Sequence, residues 1–239
     1  MSRESLVLLP GLVCDRAVWE PQILALSDRY DCIVADYGGA DSLVAMARAA
    51  LESAPAQFSL AGHSMGGRVA LEAMRIAPGR ITRLALLDTG YQARPEGEAG
   101  EAEARSRYRL LDLALTQGMG AMGREWVQGM IHPGRLQDRE LIERILTMIG
   151  RKTPGIFAAQ IRALLDRPAA EAMLRAIECP TLILCGRQDL WSPLRRHEDM
   201  AAMVVGARLA VIEDSGHMVT LERPQAVTEA LERWLASIR

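Results

Sequence analysis

The stretch with the clearest chemical potential is Leu60-Ala-Gly-His-Ser-Met-Gly-Gly67. Within it, Gly62-His63-Ser64-Met65-Gly66 fits the pattern G-x-S-x-G. Such a pentapeptide presents a nucleophile when a strand enters it and a helix leaves it. The sharp turn lifts the serine oxygen above the sheet edge, and small residues two before and two after avoid the neighbouring backbone. The flanks suit this: apolar Phe58–Ala61 precedes the motif, and the helical pattern Arg68-Val-Ala-Leu-Glu-Ala-Met-Arg follows it. A serine hydroxyl is a weak nucleophile near neutral pH. It needs a histidine base, and that histidine needs a carboxylate to orient it.

Four histidines are available. His63 adjoins the serine, but the same turn directs it elsewhere, so packing is its expected role. His132 lies in the turn-like Ile131-His-Pro-Gly-Arg. His197 stands among Arg195, Arg196 and Glu198 on an amphipathic helical pattern, which suggests a solvated face. His217 follows a glycine-containing turn in Glu213-Asp-Ser-Gly-His, between the last strand pattern and the last helix pattern. Reactive groups in an open parallel sheet gather at the carboxyl ends of strands, which makes His217 the expected base. The acid belongs after the preceding strand, and Asp189 in Gly186-Arg-Gln-Asp189 occupies that place. Asp88, one strand earlier, is the second candidate; Asp214 stands too close to His217 in an irregular turn. The developing oxyanion needs two backbone donors. One is the N–H of Met65, directly after the nucleophile; the other is assigned to Leu12, in the Pro10-Gly11-Leu12 loop after the first strand.

The elements that must position these residues alternate along the chain. Six short apolar runs read as buried strands: Leu6–Leu9, Cys32–Ala35, Phe58–Ala61, Leu84–Leu87, Thr181–Cys185 and Leu209–Ile212. Most are continuous rather than alternating, as in a sheet covered on both faces. Helical patterns at Ala17–Leu26, Leu43–Leu51, Met65–Ile76, Pro193–Val205 and Arg223–Ile238 separate most of them, so the class is α/β with a mostly parallel sheet. Between Asp88 and Cys179 no convincing strand appears. Helical patterns at Ala99–Leu115, Met122–Met130, Asp138–Ile149 and Pro154–Leu165 fill the interval, because a structureless loop of that length would be unusual. The expected division is a core of residues 1–89 and 179–239 with a helical cap at 90–178.

Composition narrows the class. The 239 residues hold 28 Lys and Arg against 30 Asp and Glu, a balance that leaves no electrostatic footprint for nucleic acid or an anionic membrane. Four cysteines, Cys14, Cys32, Cys179 and Cys185, form no CxxC pair and suit neither a zinc site nor a disulfide framework. Cys14 has no elbow to present it and reads as a buried or pocket-lining thiol. Trp19 and Trp234 read as core, and the methionines at 119, 122, 130 and 148 chiefly as filler. The apolar run near the N-terminus is too short for a signal-peptide core, and no run is long enough to span a membrane. A cytoplasmic enzyme or binding protein is expected, with no metal or nucleotide motif and no cofactor.

The order Ser64, Asp189, His217 resembles that of the α/β-hydrolase superfamily. So do the G-H-S-M-G-G elbow, the G-R-x-D loop and the S-G-H followed by L-E-x-P. The likeness covers nearly the whole chain and is nearest to the small bacterial carboxylesterase, enol-lactonase and pimeloyl-ester-hydrolase group. It implies a serine hydrolase with an inserted cap and a six-stranded sheet that lacks the first two strands of the fuller fold. Pro10-Gly11 replaces the His-Gly of many relatives, and Asp36-Tyr-Gly-Gly-Ala-Asp41 is shorter than the usual D-x-x-G-x-G-x-S; both alter the mouth of the site. The expected reaction is hydrolysis of an ester, thioester or lactone of a small, rather apolar acid. A lyase or C–C bond hydrolase on the same residues, and a non-enzymatic small-molecule receptor, are the alternatives.

Overall fold

A computed structural model describes residues 3–237. Six strands, β1 (Glu4–Leu9), β2 (Tyr30–Val34), β3 (Phe58–His63), β4 (Ile81–Leu87), β5 (Thr181–Gly186) and β6 (Arg208–Ile212), form one sheet in the order β2-β1-β3-β4-β5-β6. Every neighbouring pair runs parallel. Such a sheet must be covered on both faces, and the burial follows: β3 and β5 are buried along their whole length, whereas the edge strands β2 and β6 are half-buried or exposed over most of theirs.

The helices in chain order are α1 (Glu20–Leu26), α2 (Leu43–Ser53), α3 (Met65–Ile76), α4 (Gly97–Gln117), α5 (Met119–Val127), α6 (Arg139–Gly150), α7 (Pro154–Leu165), α8 (Glu171–Arg175), α9 (Leu194–Met203), α10 (Val219–Glu222) and α11 (Pro224–Leu235). Their starts are written in the sequence. Ser42, Asp138 and Thr153 accept the amides of Ala45, Leu141 and Ile156 at the starts of α2, α6 and α7, and Pro154 and Pro224 stand in first turns, where no amide partner is needed. Trp19 and Trp234 lie in the core, 0% and 2% exposed. Among the described residues no helix is long and apolar enough to cross a membrane.

The differences from the sequence reading are local. The first helical pattern opens as a 3₁₀ turn at Arg16–Trp19 before α1 begins. The C-terminal pattern at Arg223–Ile238 forms α11 from Pro224, the short α10 stands just before it, and its expected last residue, Ile238, lies outside the described residues. Five helices, α4 to α8, occupy the interval between β4 and β5, where the sequence shows four; α8 is too short to display a period.

Candidate active site

Ser64 stands between β3 and α3 with φ 56° and ψ −117°, a conformation that disfavours any residue with a Cβ. Strain of this kind persists only where the surroundings over-determine it. The Ser64 N–H donates to the Leu87 carbonyl at 2.8 Å, and the Ser64 carbonyl accepts from Gly67 N–H at 3.0 Å and from Thr89 Oγ1 at 2.7 Å. The small flanks are obligatory. A Cβ on Gly66 would stand 2.1 Å from the Leu9 carbonyl oxygen, and one on Gly62 would stand 2.3 Å from the Gly66 carbonyl oxygen.

His217 and Asp189 meet this serine. Ser64 Oγ donates to His217 Nε2 at 2.7 Å, and His217 Nδ1 donates to Asp189 Oδ2 at 2.7 Å. Asp189 Oδ1 accepts the amides of Trp191 at 2.8 Å and Ser192 at 2.9 Å, so the loop after β5 fixes the carboxylate's direction. Burial alone would raise the Asp189 carboxyl; the imidazole and the two amides hold it below the usual carboxylate value. His217 is held through its own backbone as well. Its N–H donates to the Met130 carbonyl at 2.7 Å, and its carbonyl accepts from His63 Nε2 at 2.8 Å. That bond places the proton of His63 on Nε2 and explains a buried histidine beside the nucleophile. Glu222 braces the same loop by accepting the amides of Gly216, Met218 and His132.

Asp88 lies behind this line. It is fully buried, and its carboxylate accepts the amides of Gly186 at 2.9 Å and Val219 at 3.3 Å. Burial first, and then the neighbouring Asp189, push its carboxyl well above the usual value. Leu12 and Met65 both line the cavity that contains Ser64 and His217. The Met65 amide belongs to the first turn of α3, where helical amides lack internal partners. Val13, next to Leu12, has φ 53°, and its amide donates to Gln160 Oε1 of α7 at 2.7 Å.

One reading requires correction. His197 is fully buried rather than solvated. Its Nε2 accepts the Thr89 amide at 3.0 Å, and its Nδ1 donates to the Pro193 carbonyl at 3.3 Å. It shares the inward face of α9 with Met200, while Arg195 and Glu198 are exposed and the half-buried Arg196 reaches the cavity wall. Cys14 is a buried thiol pushed up to about 12, chiefly by burial and then by Asp15, so it is unsuited to attack.

The cavity above Ser64 has a volume of about 390 Å³. Trp126 and Leu164 contribute from α5 and α7, Met130 from the turn after α5, and Trp191 from the loop after Asp189. The Trp191 ring stands 6.1 Å from the His217 ring. Sequence reasoning missed the charged part of the wall: Arg68, Arg107, Arg167 and Arg196, with Glu103. No signal in the sequence joins them, since they come from separated elements and arginine is ordinarily a surface residue.

A model of the alpha/beta hydrolase family matches residues 6–230. The chain belongs to that family. This α/β-hydrolase is an enzyme of the carboxylesterase-like kind. It is 28% identical to a pimeloyl-[acyl-carrier protein] methyl ester esterase of Methylococcus capsulatus, over 97% of this chain and 94% of that one. It is 27% identical to the (E)-2-((N-methylformamido)methylene)succinate hydrolase of Acinetobacter baylyi, over 97% of this chain and 90% of that one. A solved thermophilic esterase from Thermogutta terrifontis superposes with a TM-score of 0.84 at 28% identity, over 98% of this chain and 90% of that one. The enol-lactonase of Burkholderia xenovorans shares the fold, with a TM-score of 0.84 at 20% identity.

Proposed function

We propose that this hydrolase cleaves a carboxylic ester, thioester or lactone through an acyl-enzyme on Ser64, with His217 as base, Asp189 as its orienting acid, and the helices between β4 and β5 as a cap. The observation that carries the reading is the unbroken hydrogen-bonded line from Ser64 Oγ through His217 to Asp189, each link 2.7 Å. The relatives' names, a methyl ester esterase among them, favour the same bond type.

Ser64 Oγ attacks the carbonyl carbon while its proton passes to His217 Nε2. Asp189 keeps Nδ1 protonated and stabilises the imidazolium. The amides of Met65 and Leu12 receive the oxyanion. The intermediate collapses with cleavage of the bond to the leaving oxygen or sulfur, which takes the proton from His217. Water then adds to the acyl carbon, gives one proton to His217, and the acid departs as Ser64 regains that proton. No step calls for a cofactor. The cap closes the wall of the cavity and limits the water that reaches it.

The test combines labelling with rapid kinetics. A fluorophosphonate is expected to modify Ser64 alone, and a p-nitrophenyl ester to give a burst of one product per site. Ser64→Ala and His217→Ala should each cost about 10⁴–10⁶ in kcat, with little further loss when combined. Labelling elsewhere, or carbon–carbon cleavage with no burst on any ester, would overturn the reading.

A further inference from the structure

Beside its apolar lining, this cavity holds four arginines and a single carboxylate that ionises readily, Glu103, which an apolar acid would leave unmatched. Glu103 is already engaged. Arg167 grips it with two hydrogen bonds of 2.7 Å, and Arg107 adds bonds of 2.8 Å and 2.9 Å. These two guanidiniums overcome the effect of burial and hold its carboxyl down at about 2.

Arg68 and Arg196 have no such partner. Among the described residues neither lies within ion-pairing distance of a carboxylate. Arg68 is 9% exposed, and its one protein hydrogen bond runs from Nη1 to the Gln92 carbonyl at 2.7 Å. Arg196 donates only to the Trp191 carbonyl at 3.2 Å and Ser192 Oγ at 3.4 Å. The two converge. Arg68 Nη2 and Arg196 Nη1 lie 3.1 Å and 3.3 Å from the point where a Cβ would stand on Gly90. A glycine at that position is what allows both guanidiniums to approach. Burial first, and then repulsion from Arg167 and Arg196, lower Arg68 to about 9, so the cluster stores unrelieved like charge. Removing a charge from water costs several kcal/mol unless an opposite charge compensates it. An anion in the cavity would compensate it, and a guanidinium pair presents the forked donors that a carboxylate accepts.

Arg68 follows Ser64 by four residues on α3, one helical turn and about 6 Å along the axis. Resting on the hydrolase reading above, we infer that the substrate carries a carboxylate a few carbons from the scissile carbonyl, clamped by Arg68 and Arg196. Arg107 and Arg167, neutralised in part by Glu103, shape the rest of that end of the cavity.

Two isosteric comparisons test this. Monomethyl adipate is set against methyl hexanoate for a carboxylate on the acid side, and 4-acetoxybutyrate against butyl acetate for one on the alcohol side. In the wild type, kcat/KM for the anionic member of at least one pair should exceed that of its neutral partner at least tenfold, mainly through KM. The ratio should fall tenfold or more in Arg68→Gln and in Arg196→Gln. Arg196 is the less buried of the two, so its variant tests the point even if Arg68→Gln folds poorly. Ratios near one in both pairs, or a ratio unchanged in both variants, would overturn the inference. Calorimetry of adipate binding to Ser64→Ala, repeated with each arginine changed, separates the two claims. Binding that depends on the arginines, with no ester turned over by the wild type, would sink the hydrolase reading and keep the anion site.

Discussion

Ser64 stands at the N-terminus of α3, where a serine oxygen ordinarily accepts a helix amide, yet its side chain makes no capping bond and donates to His217. The acid of that line can be separated from its neighbour by substitution. Asp189 contacts the imidazole directly, whereas Asp88 ties the ends of β4 and β5 and the start of α10 together and lies 3.6 Å from Nε2 of His63. Asp189→Asn removes the group that fixes the imidazole tautomer and should lower kcat by about 10³–10⁴. Asp88→Asn keeps an acceptor for the Gly186 amide and loses no contact with His217, so about tenfold is expected. Steady-state kinetics of the two variants decides the assignment, and a larger loss at Asp88 would reverse it. Ser64, His217 and Asp189 were legible because each follows a strand at a glycine-containing turn. His197 was not, since three charged neighbours hid which face of α9 turns inward. The arginines were not legible either: a guanidinium in a cavity and one in solvent look alike in a sequence.

At the scale of elements, strands covered on both faces leave unbroken apolar runs, so all six could be read. Their half-exposed edges blurred only the limits: β2 begins at Tyr30, before the apolar run at Cys32–Ala35. What no periodicity can display is a contact between distant elements, and Gln160 is such a case. It reaches from α7 to the amide of Val13, a β-branched residue held at φ 53° beside the expected oxyanion donor Leu12. A branched side chain in that region costs about 1–3 kcal/mol, which the surrounding bonds must offset. Gln160→Ala leaves the Val13 amide without its acceptor and lets the loop relax away from Ser64. Losing an oxyanion donor outright costs about 10²–10³ in turnover. Displacing one should therefore lower kcat about tenfold on a p-nitrophenyl ester, with KM changed much less. An unchanged kcat would show that the loop holds its shape without α7.

Across the whole molecule, a chain of net charge −2 encloses a cationic cavity, and its buried histidines couple folding to pH. His197 shows this best. Burial, the largest influence, lowers it from 6.5 to about 4, so it stays neutral in the fold and keeps Nε2 free to accept the Thr89 amide. The unfolded chain binds a proton there below about pH 6.5, and the folded chain does not until about pH 4. Stability from this group is thus fully present above 6.5 and is lost as pH falls toward 4. At about 1.4 kcal/mol per pH unit the window carries roughly 3 kcal/mol. Asp88 acts in the opposite sense. Its raised carboxyl keeps a proton in the fold that the unfolded chain releases, so its contribution diminishes as pH rises. The wild-type profile alone mixes the two, and a variant isolates the histidine. His197→Gln retains an oxygen acceptor for the Thr89 amide and cannot titrate. Urea midpoints at pH 7.5 and 4.5 should therefore move apart less in the variant than in the wild type, by roughly the energy assigned to that window. Equal pH sensitivity of the two proteins would mean that residue 197 gains its proton without opening the fold.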